Sequence, residues 1–528
     1  MTFKVLISDP LSEEGIQPLR EAKDIQVDVE TNLSVDELTD RIGEYDALLV
    51  RSQTKVTRDI ISKASKLKII GRAGVGVDNI DISAATERGI IVVNAPDGNT
   101  NSAAEHTIAM LTSLARKIPQ AYYALKQGKW DRKTYVGVEL KGKTLGVIGM
   151  GRIGAEVATR AKGQRMNVIA YDPFLTKDRA AKLGIDFGSV EDVILAADFI
   201  TVHTPLIKET KHLINKEAFA KMKDGVRIVN CARGGIIDED ALYEAIKSGK
   251  VAGAALDVFE EEPATDHRLL ELPEVIATPH LGASTIEAQE SVAIDVSHDV
   301  VRYLTEGIAK NPVNLPAVPK EIMNKIEPYF HLSEKLGTFL TYLTNGVIEE
   351  INISYSGDLN ELEVAPLTRN TIKGLLKRHL GDHVNDVNAS YLAEKRGIRV
   401  NENKSSVTKG FTNLLTVEVK TKNVTRSVSG TLLNGLGPRL VQVDAYSVDV
   451  VPEGNLVVIK HNDRPGVIGK VGNMFAEKNI NIGAMQVGRS DVGGEAIMIL
   501  TIDKYLEDDE IEALKQVEEI EKLTAMQL

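Results

Sequence analysis

Arg233, Glu262 and His280 are three side chains of this 528-residue sequence that together could run an acid–base and hydride-transfer reaction. Hydride transfer from a 2-hydroxy acid needs a base for the hydroxyl proton, an orienter for that base, and a cation for the carboxylate. His280 suits the first role because imidazole titrates near neutrality. Glu262, in Glu260-Glu-Glu-Pro263, can bond the other ring nitrogen, fix the tautomer and favour the protonated ring. Arg233, flanked by small residues in Cys231-Ala-Arg-Gly-Gly235, can grip a carboxylate with two donors. Taken singly, His280 also reads as a satisfied structural histidine and Glu262 as part of a surface acidic run. Spacing alone does not join them.

A hydride needs an acceptor, and residues 144–172 have the layout of a dinucleotide site. Thr144–Ile148 is an apolar run suited to a buried parallel strand. Gly149, Gly151 and Gly154 then form G-x-G-x-x-G, Ala155–Arg165 can continue as a helix, and a second apolar strand ends on Asp172. Gly149 permits the tight turn, Gly151 lets the backbone approach a pyrophosphate, and Gly154 lets helix and strand pack closely. The helix N-terminus offers unpaired N–H groups to that pyrophosphate. The Asp172 carboxylate accepts from a ribose 2′-OH and repels a 2′-phosphate, and Pro173–Thr176 contains no Arg, so the cofactor is read as NAD. Gly74-Val-Gly-Val-Asp-Asn79 lacks the third glycine and is rejected as a second such site.

An anion site is expected in the first lobe. Arg51 follows one strand and Arg72 another, with the glycine-rich backbone at Gly74 beside them, a set that suits a phosphate or carboxylate. Either arginine alone reads as a solvated loop residue.

The elements that must position these groups alternate strand with helix. Short β-type runs at Lys4–Ile7, Gln26–Val29, Ala47–Val50, Lys68–Ile70 and Ile90–Val93 alternate with helical stretches at Glu13–Glu21, Val35–Ile42, Thr57–Ala64 and Ser83–Arg88; Ser34 and Glu37 form a capping box. Helices are expected at Ser102–Arg116 and Ile118–Gln127, and further strands at Phe199–Val202, Arg227–Asn230, Ala254–Val258 and Val275–Ala277. This alternation predicts parallel sheets covered on both faces, with ligands beyond the carboxyl ends of the strands. Ser284–Thr305 is helical with an apolar stripe, and Asn311–Pro319 reads as a linker.

Bulk properties narrow the class. A hydrophobic fraction of 43% with 26% charged residues describes an ordinary globular chain, and its length suggests several domains. No apolar run of membrane-spanning length appears. A single cysteine excludes an intrachain disulfide framework, so the expected location is cytoplasmic, with no membrane partner. A net charge of −12 argues against nucleic-acid binding. Cys231 is not needed as a nucleophile for hydride transfer, and no metal-ligand spacing stands out; His106, His203, His212, His298 and His331 read as structural or peripheral.

Gly149–Gly154, Asn230-Cys-Ala-Arg-Gly-Gly-Ile-Ile-Asp238, Leu256-Asp-Val-Phe-Glu-Glu-Glu-Pro263 and Thr278-Pro-His-Leu-Gly-Ala-Ser-Thr285 resemble the signatures of the D-isomer-specific 2-hydroxyacid dehydrogenases. Gly71-Arg-Ala-Gly-Val-Gly-Val-Asp-Asn79 narrows the resemblance to members acting on D-3-phosphoglycerate. The resemblance implies Arg233, Glu262 and His280 as the catalytic set. It implies contacts to NAD from Val75, Gly149, Gly151, Arg152, Ile153, Gly154, Asp172, Thr204, Cys231, Ala232, Arg233, Asp257, His280, Gly282 and Ala283. Arg51, Arg72, Gly74, Asn101 and Arg132 would address the substrate. It also implies two doubly wound parallel-sheet (Rossmann-like) domains, the cofactor domain at residues 100–283 inserted into a substrate-binding domain at residues 1–99 and 284–318. A homo-oligomer, dimer or tetramer, is implied. The rival functions are a hydroxypyruvate or glyoxylate reductase on the same scaffold and a non-catalytic NAD-sensing interaction protein.

The rest of the chain carries no catalytic motif. Residues 319–452, with a helix at Lys335–Leu343 and strands at Ile351–Tyr355, Leu415–Lys420 and Val441–Val450, resemble an α+β intervening domain that mediates assembly or binds an anionic effector. Residues 455–528 fit β-α-β-β-α-β: Asn455–Lys460, Val467–Lys478, Ile482–Gly488, Glu495–Ile502, Asp508–Gln516 and a last strand near Lys522–Gln527. His461-Asn-Asp-Arg-Pro-Gly466 and Asn479–Ile482 resemble a ferredoxin-like ACT domain. The resemblance implies an L-serine effector held by His461, Asp463 and Asn481, with Asp463 standing where many relatives carry Asn.

Overall fold

The computed structural model describes residues 2–316, 318–489, 493–516 and 518–528; Ala317, within the expected linker, lies outside them. The amino-terminal sheet is parallel, in the order β2-β1-β3-β4-β5. Its strands are β1 (Phe3–Ile7), β2 (Ile25–Val29), β3 (Ala47–Val50), β4 (Ile69–Arg72) and β5 (Ile91–Asn94). The cores of β1 and β3 are buried because helices cover both faces of the sheet. One covering helix comes from far along the chain. Ile286–Glu306 lays Val292, Val296, Val300 and Leu304 into the core formed by Val5, Ile7 and Leu49. Gly71 makes room for it, since a Cβ there would meet Val296 at 2.5 Å. After this helix, Asn314 ties the returning chain to β5 by accepting from Val92 N at 2.9 Å.

The second sheet is also parallel, in the order β12-β11-β10-β9-β6-β7-β8. Its strands are β6 (Thr144–Ile148), β7 (Asn167–Tyr171), β8 (Asp186–Phe187), β9 (Phe199–Val202), β10 (Val226–Asn230), β11 (Val251–Leu256) and β12 (Val275–Ala277). Strand order reverses between β6 and β9, the switch point at which such sheets open a ligand crevice.

The third sheet is mixed, in the order β14-β13-β15-β16-β17-β18. It comprises β13 (Ile348–Gly357), β14 (Arg399–Ser405), β15 (Asn413–Thr421), β16 (Thr425–Leu433), β17 (Gly437–Val443) and β18 (Tyr446–Val450). Two sequence expectations fail here. The Val441–Val450 run is a hairpin rather than one strand, because Asp444 adopts φ +49 and its carboxylate accepts from Ser427 N at 3.0 Å, turning the chain. The helix expected at Lys335 begins at Phe330, and it crosses an unanticipated partner, Ala365–Leu380. Gly337 and Gly374 let these helices approach until backbone meets backbone.

The fourth sheet is antiparallel, in the order β20-β21-β19-β22, with β19 (Asn455–Asn462), β20 (Ile482–Arg489), β21 (Glu495–Ile502) and β22 (Ile520–Gln527). Helices Val467–Glu477 and Asp508–Lys515 complete the expected β-α-β-β-α-β pattern. One apolar core runs through both carboxy-terminal sheets, from Leu336 and Leu440 to Val458 and Met526.

Candidate active site

His280 stands just past the end of β12 in a left-handed backbone conformation, φ +56, uncommon for a residue bearing a Cβ. Its N–H donates to Asp257 O at 2.9 Å and Thr278 O at 3.0 Å. The buried Asp257 carboxylate builds the rest of the loop, accepting from Thr278 Oγ1 (2.6 Å), Leu281 N (2.7 Å) and Gly282 N (2.8 Å). Burial alone would raise the Asp257 pKa; hydrogen bonds led by those from His106 and Thr278 outweigh it and hold the carboxyl below its usual range. His106, read from sequence as structural or peripheral, braces this loop from behind, its Nε2 3.2 Å from Asp257 Oδ1.

The His280 ring is aimed by Glu262. Nδ1 lies 2.8 Å from Glu262 Oε2, and Glu262 Oε1 accepts from Phe259 N at 3.1 Å. The bond to Glu262 raises the imidazole pKa, opposed by burial. Burial likewise works to raise Glu262, but the His280 bond and charge prevail and lower it. With Nδ1 engaged, Nε2 is the nitrogen left to exchange a proton with substrate.

Three arginines converge beside this pair. Arg51 and Arg72 come from the ends of β3 and β4, and Arg233 from the loop after β10. Burial, then repulsion by Arg233 and Arg51, push the Arg72 guanidinium down to about 10, and its Nε is buried with no partner among the described residues. Arg233 reaches across to the first lobe, its Nε donating to Asp78 Oδ2 at 3.1 Å. Gly74 lies directly beneath the Arg72 guanidinium at φ +152, where any side chain would collide with it. Sequence reading missed what holds the Arg51 loop. Asp9, buried past the end of β1, accepts from Arg51 N (2.6 Å) and Thr54 N (3.0 Å), and Asn79 Nδ2 donates to Arg51 O at 2.8 Å. A carboxylate following an apolar parallel strand was the available signal.

The glycine loop joins β6 to the helix Arg152–Gly163. A Cβ on Gly154 would drive into Gly149 O, and one on Gly149 would stand 2.6 Å from His203 O, so both glycines serve close packing. Gly151 differs: nothing lies within 4 Å of where its Cβ would be, and it starts the helix without a side-chain cap. Thr204 Oγ1 is buried without a partner among the described residues. Open space over Gly151, free helix N–H groups and an orphaned hydroxyl fit a dinucleotide. Asp172 Oδ2 accepts from Met150 N at 2.8 Å, and Arg179, on the helix beyond Pro173–Thr176, donates to Met150 O at 3.1 Å. Ala232 N donates to Asn230 Oδ1 at 3.0 Å, Val75 O accepts from Asn94 Nδ2 at 2.5 Å, and Ile153 packs on the sheet core. Ala283 follows the buried Gly282. Burial, then Asp257, push the Cys231 thiol up to about 12.

Some expected residues are not brought together. Asn101 is exposed on the helix Thr100–Arg116 and accepts from Arg160 Nη2 at 3.2 Å. Arg152 pairs with Asp97 at 2.5 Å. Arg132 is exposed in a loop organised by Asp131. His461 is buried (2% exposed), with Nε2 unpartnered among the described residues. Ile482 pairs with Ile502, which pairs with Asn455, whereas Asn462 lies opposite Glu495. Asn481 and Asp463 therefore sit at opposite ends of the sheet, about 30 Å apart along the strands at the usual strand rise, and do not form one pocket within a chain. Among the described residues, no cluster of three or more His, Cys, Asp or Glu is placed to hold a metal ion, and no helix is long and apolar enough to cross a membrane.

Comparison with known proteins agrees with this geometry. Residues 108–282 match the D-isomer specific 2-hydroxyacid dehydrogenase NAD-binding domain, residues 325–444 the D-3-phosphoglycerate dehydrogenase intervening domain, and residues 455–519 the ACT domain. The TT0316 protein from Thermus thermophilus superposes with a TM-score of 0.55 at 34% identity, covering 59% of this chain and 99% of that one. A D-lactate dehydrogenase from Aquifex aeolicus, complexed with NAD and lactic acid, does so at 0.53 and 31% identity, covering 60% and 100%. Fold and site define an NAD-dependent oxidoreductase of the 2-hydroxyacid dehydrogenase class. A D-3-phosphoglycerate dehydrogenase of Bacillus subtilis is 49% identical over 98% of both chains, and one of Methanocaldococcus jannaschii 46% identical over 99% of this chain and 100% of its own. The chain belongs to the D-3-phosphoglycerate dehydrogenase family.

Proposed function

We propose that this chain oxidises D-3-phosphoglycerate to 3-phosphohydroxypyruvate with NAD, the first step of L-serine biosynthesis. The observation that carries the substrate is the convergence of Arg51, Arg72 and Arg233 beside His280, more cation than one carboxylate needs. Arg233 holds the carboxylate, Arg51 and Arg72 the phosphate, and His280 Nε2 takes the C2 hydroxyl proton while Glu262 stabilises the imidazolium. Gly149, Gly151, Gly154, Thr204 and Asp172 hold NAD, which when bound supplies the hydride acceptor. The cofactor domain interrupts the substrate-binding domain, so closing the cleft between them excludes water. NADH oxidation with phosphohydroxypyruvate and with hydroxypyruvate, using His280→Ala as control, tests this. Rapid turnover of the phosphorylated substrate, lost in the variant, is expected. Equal rates on both indicate a hydroxypyruvate reductase.

We also propose that the chain is a cytoplasmic homo-oligomer. Its single cysteine suits a reducing compartment. Tyr122, Tyr123, Trp130 and Val136 are 61, 67, 80 and 71% exposed along one stretch of the cofactor domain, an apolar surface that a second copy would cover. The ACT match supports a small-molecule effector, for which we propose L-serine. Asp463 and Asn481 can grip one ligand only if two copies each contribute an end of the sheet. Sedimentation of the full chain and calorimetry with serine test both readings.

A further inference from the structure

A second set of titratable side chains, which neither proton nor hydride transfer uses, lies against the loop that carries Glu262. Glu239 opens the helix Glu239–Lys247 and is buried, 9% exposed. Its Oε1 accepts from Glu260 N at 2.7 Å, and Glu260 Oε1 accepts in return from Glu239 N at 3.4 Å. The other carboxylate oxygen, Oε2, lies 2.9 Å from His267 Nε2. Leu269 N donates to His267 Nδ1 at 3.3 Å, so the neutral ring keeps its proton on Nε2 and gives it to Glu239 as a hydrogen bond. His212 Nε2, 3.1 Å from Glu260 Oε1, closes the chain of contacts at its outer end. The charged groups facing Glu239 are His267 and Glu260. Burial raises its pKa against the pull of the Glu260 N–H and of His267.

A buried carboxylate needs its partners, and the partners of this one lead to the chemistry. Phe259 N donates to Glu262 Oε1 at 3.1 Å, so a fixed Glu260 backbone fixes the turn that aims Glu262 at His280. Phe259 is itself seated against the His267 ring, with centroids 5.5 Å apart. The same turn backs the Arg233 loop. A Cβ on Gly234 would run into Phe259 O and stand 2.6 Å from Glu260 N. The charges facing the His280 ring are Glu262, Asp257 and Arg233, which this turn carries or abuts.

We propose that Glu239 is a positioning residue for the dehydrogenase reaction: held by His267, it fixes the Glu260 backbone and so sets the contact of Glu262 with His280 and the stance of Arg233. It acts through those residues and not on the substrate. The inference rests on the reading of His280 as the base and Glu262 as its orienter.

The test is the pH profile of kcat/KM for oxidation of D-3-phosphoglycerate by the full chain, in wild type, Glu239→Leu, His267→Phe and Glu262→Gln. Leucine fills the buried volume without offering an acceptor. Glu239→Leu is expected to lose about 10–100-fold in kcat, the cost of misplacing a catalytic pair, with KM for NAD unchanged. Its acid limb should move to lower pH, as in Glu262→Gln, and adding Glu262→Gln to it should move the limb no further. His267→Phe keeps a ring against Phe259 but removes the donor to Glu239, and its limb should move the same way by a smaller step. A loss of stability alone, read by thermal unfolding, reduces the active fraction and leaves the limb where it was. A limb at the wild-type pH in Glu239→Leu, or in His267→Phe should Glu239→Leu not fold, overturns the proposal. An unmoved limb in Glu262→Gln, or a wild type without turnover, overturns the reading beneath it and the proposal with it.

Discussion

Glu262 Oε2 lies 2.8 Å from His280 Nδ1, and the same carboxylate is pinned on its other oxygen by Phe259 N at 3.1 Å. The acid thus orients the ring and raises its pKa above the ordinary 6.5. Oxidation of the hydroxy acid needs the neutral ring, so kcat/KM falls as pH drops through that pKa. Glu262→Gln removes the charge that favours the imidazolium, and its acid limb should move to lower pH. Stability carries the opposite mark. A raised folded pKa contributes fully below the unfolded value and is lost as pH rises through the folded one, so the melting-temperature gap between wild type and Glu262→Gln should close as pH rises through the raised His280 pKa. His280→Asn should cost about 10²–10⁴ in kcat, the usual worth of a positioned acid–base group. An unshifted limb in Glu262→Gln would contradict the assignment.

Arg51 and Arg72 separate a phosphorylated substrate from its unphosphorylated analogue. Arg51→Ala should raise KM for phosphohydroxypyruvate by about 10–100-fold, the loss of a hydrogen bond to a charged group worth roughly 1.5–3 kcal/mol. The rate on hydroxypyruvate should scarcely change. Steady-state kinetics on both substrates checks this, and equal losses would move Arg51 away from the phosphate.

The glycines of the fingerprint should divide by role. Gly154→Ala pushes a Cβ into Gly149 O, so denaturant unfolding should show a loss of about 1–3 kcal/mol, typical of overpacking. Gly151→Ala meets nothing within 4 Å, so its stability should match wild type while KM for NAD rises steeply.

Asp172 is expected to select NAD. Asp172→Ala should weaken NAD by about tenfold, one charge-assisted hydrogen bond, and narrow its preference over NADP. Arg179, already beside the loop through Met150 O, is the cation available to a 2′-phosphate once the acid is gone. Kinetics with both cofactors measures the change, and an unaltered NAD to NADP ratio would exclude Asp172 as the selector.

The serine reading predicts complementation between copies. Asp463→Ala and Asn481→Ala should each abolish serine binding, and a reassembled mixture of the two variants should regain part of it. Each hybrid pair keeps one intact combination of Asp463 from one copy and Asn481 from the other. Calorimetry on the mixture decides, and a mixture as inert as its parents would place both residues in one chain's site or in none.

What the sequence determined alone was local. The glycine fingerprint, the capping box at Ser34, the strand–helix alternation and the acid ending β7 are written in neighbouring residues, because turn geometry and hydrophobic period act over a few positions. Asp444 shows where that reach ends: its left-handed turn depends on a bond to Ser427 N on another strand, so an apolar alternating run read as one strand became two. Only the tertiary structure decided which distant groups meet. Asp9 ties down the Arg51 loop, Arg233 crosses to Asp78, and His106 braces Asp257, each over sequence separations that no period encodes. Strand register did the rest, setting Lys460 against Lys522 and parting Asn481 from Asp463, because pairing is chosen by burial of whole sheet faces and not by the residues that then find themselves opposed.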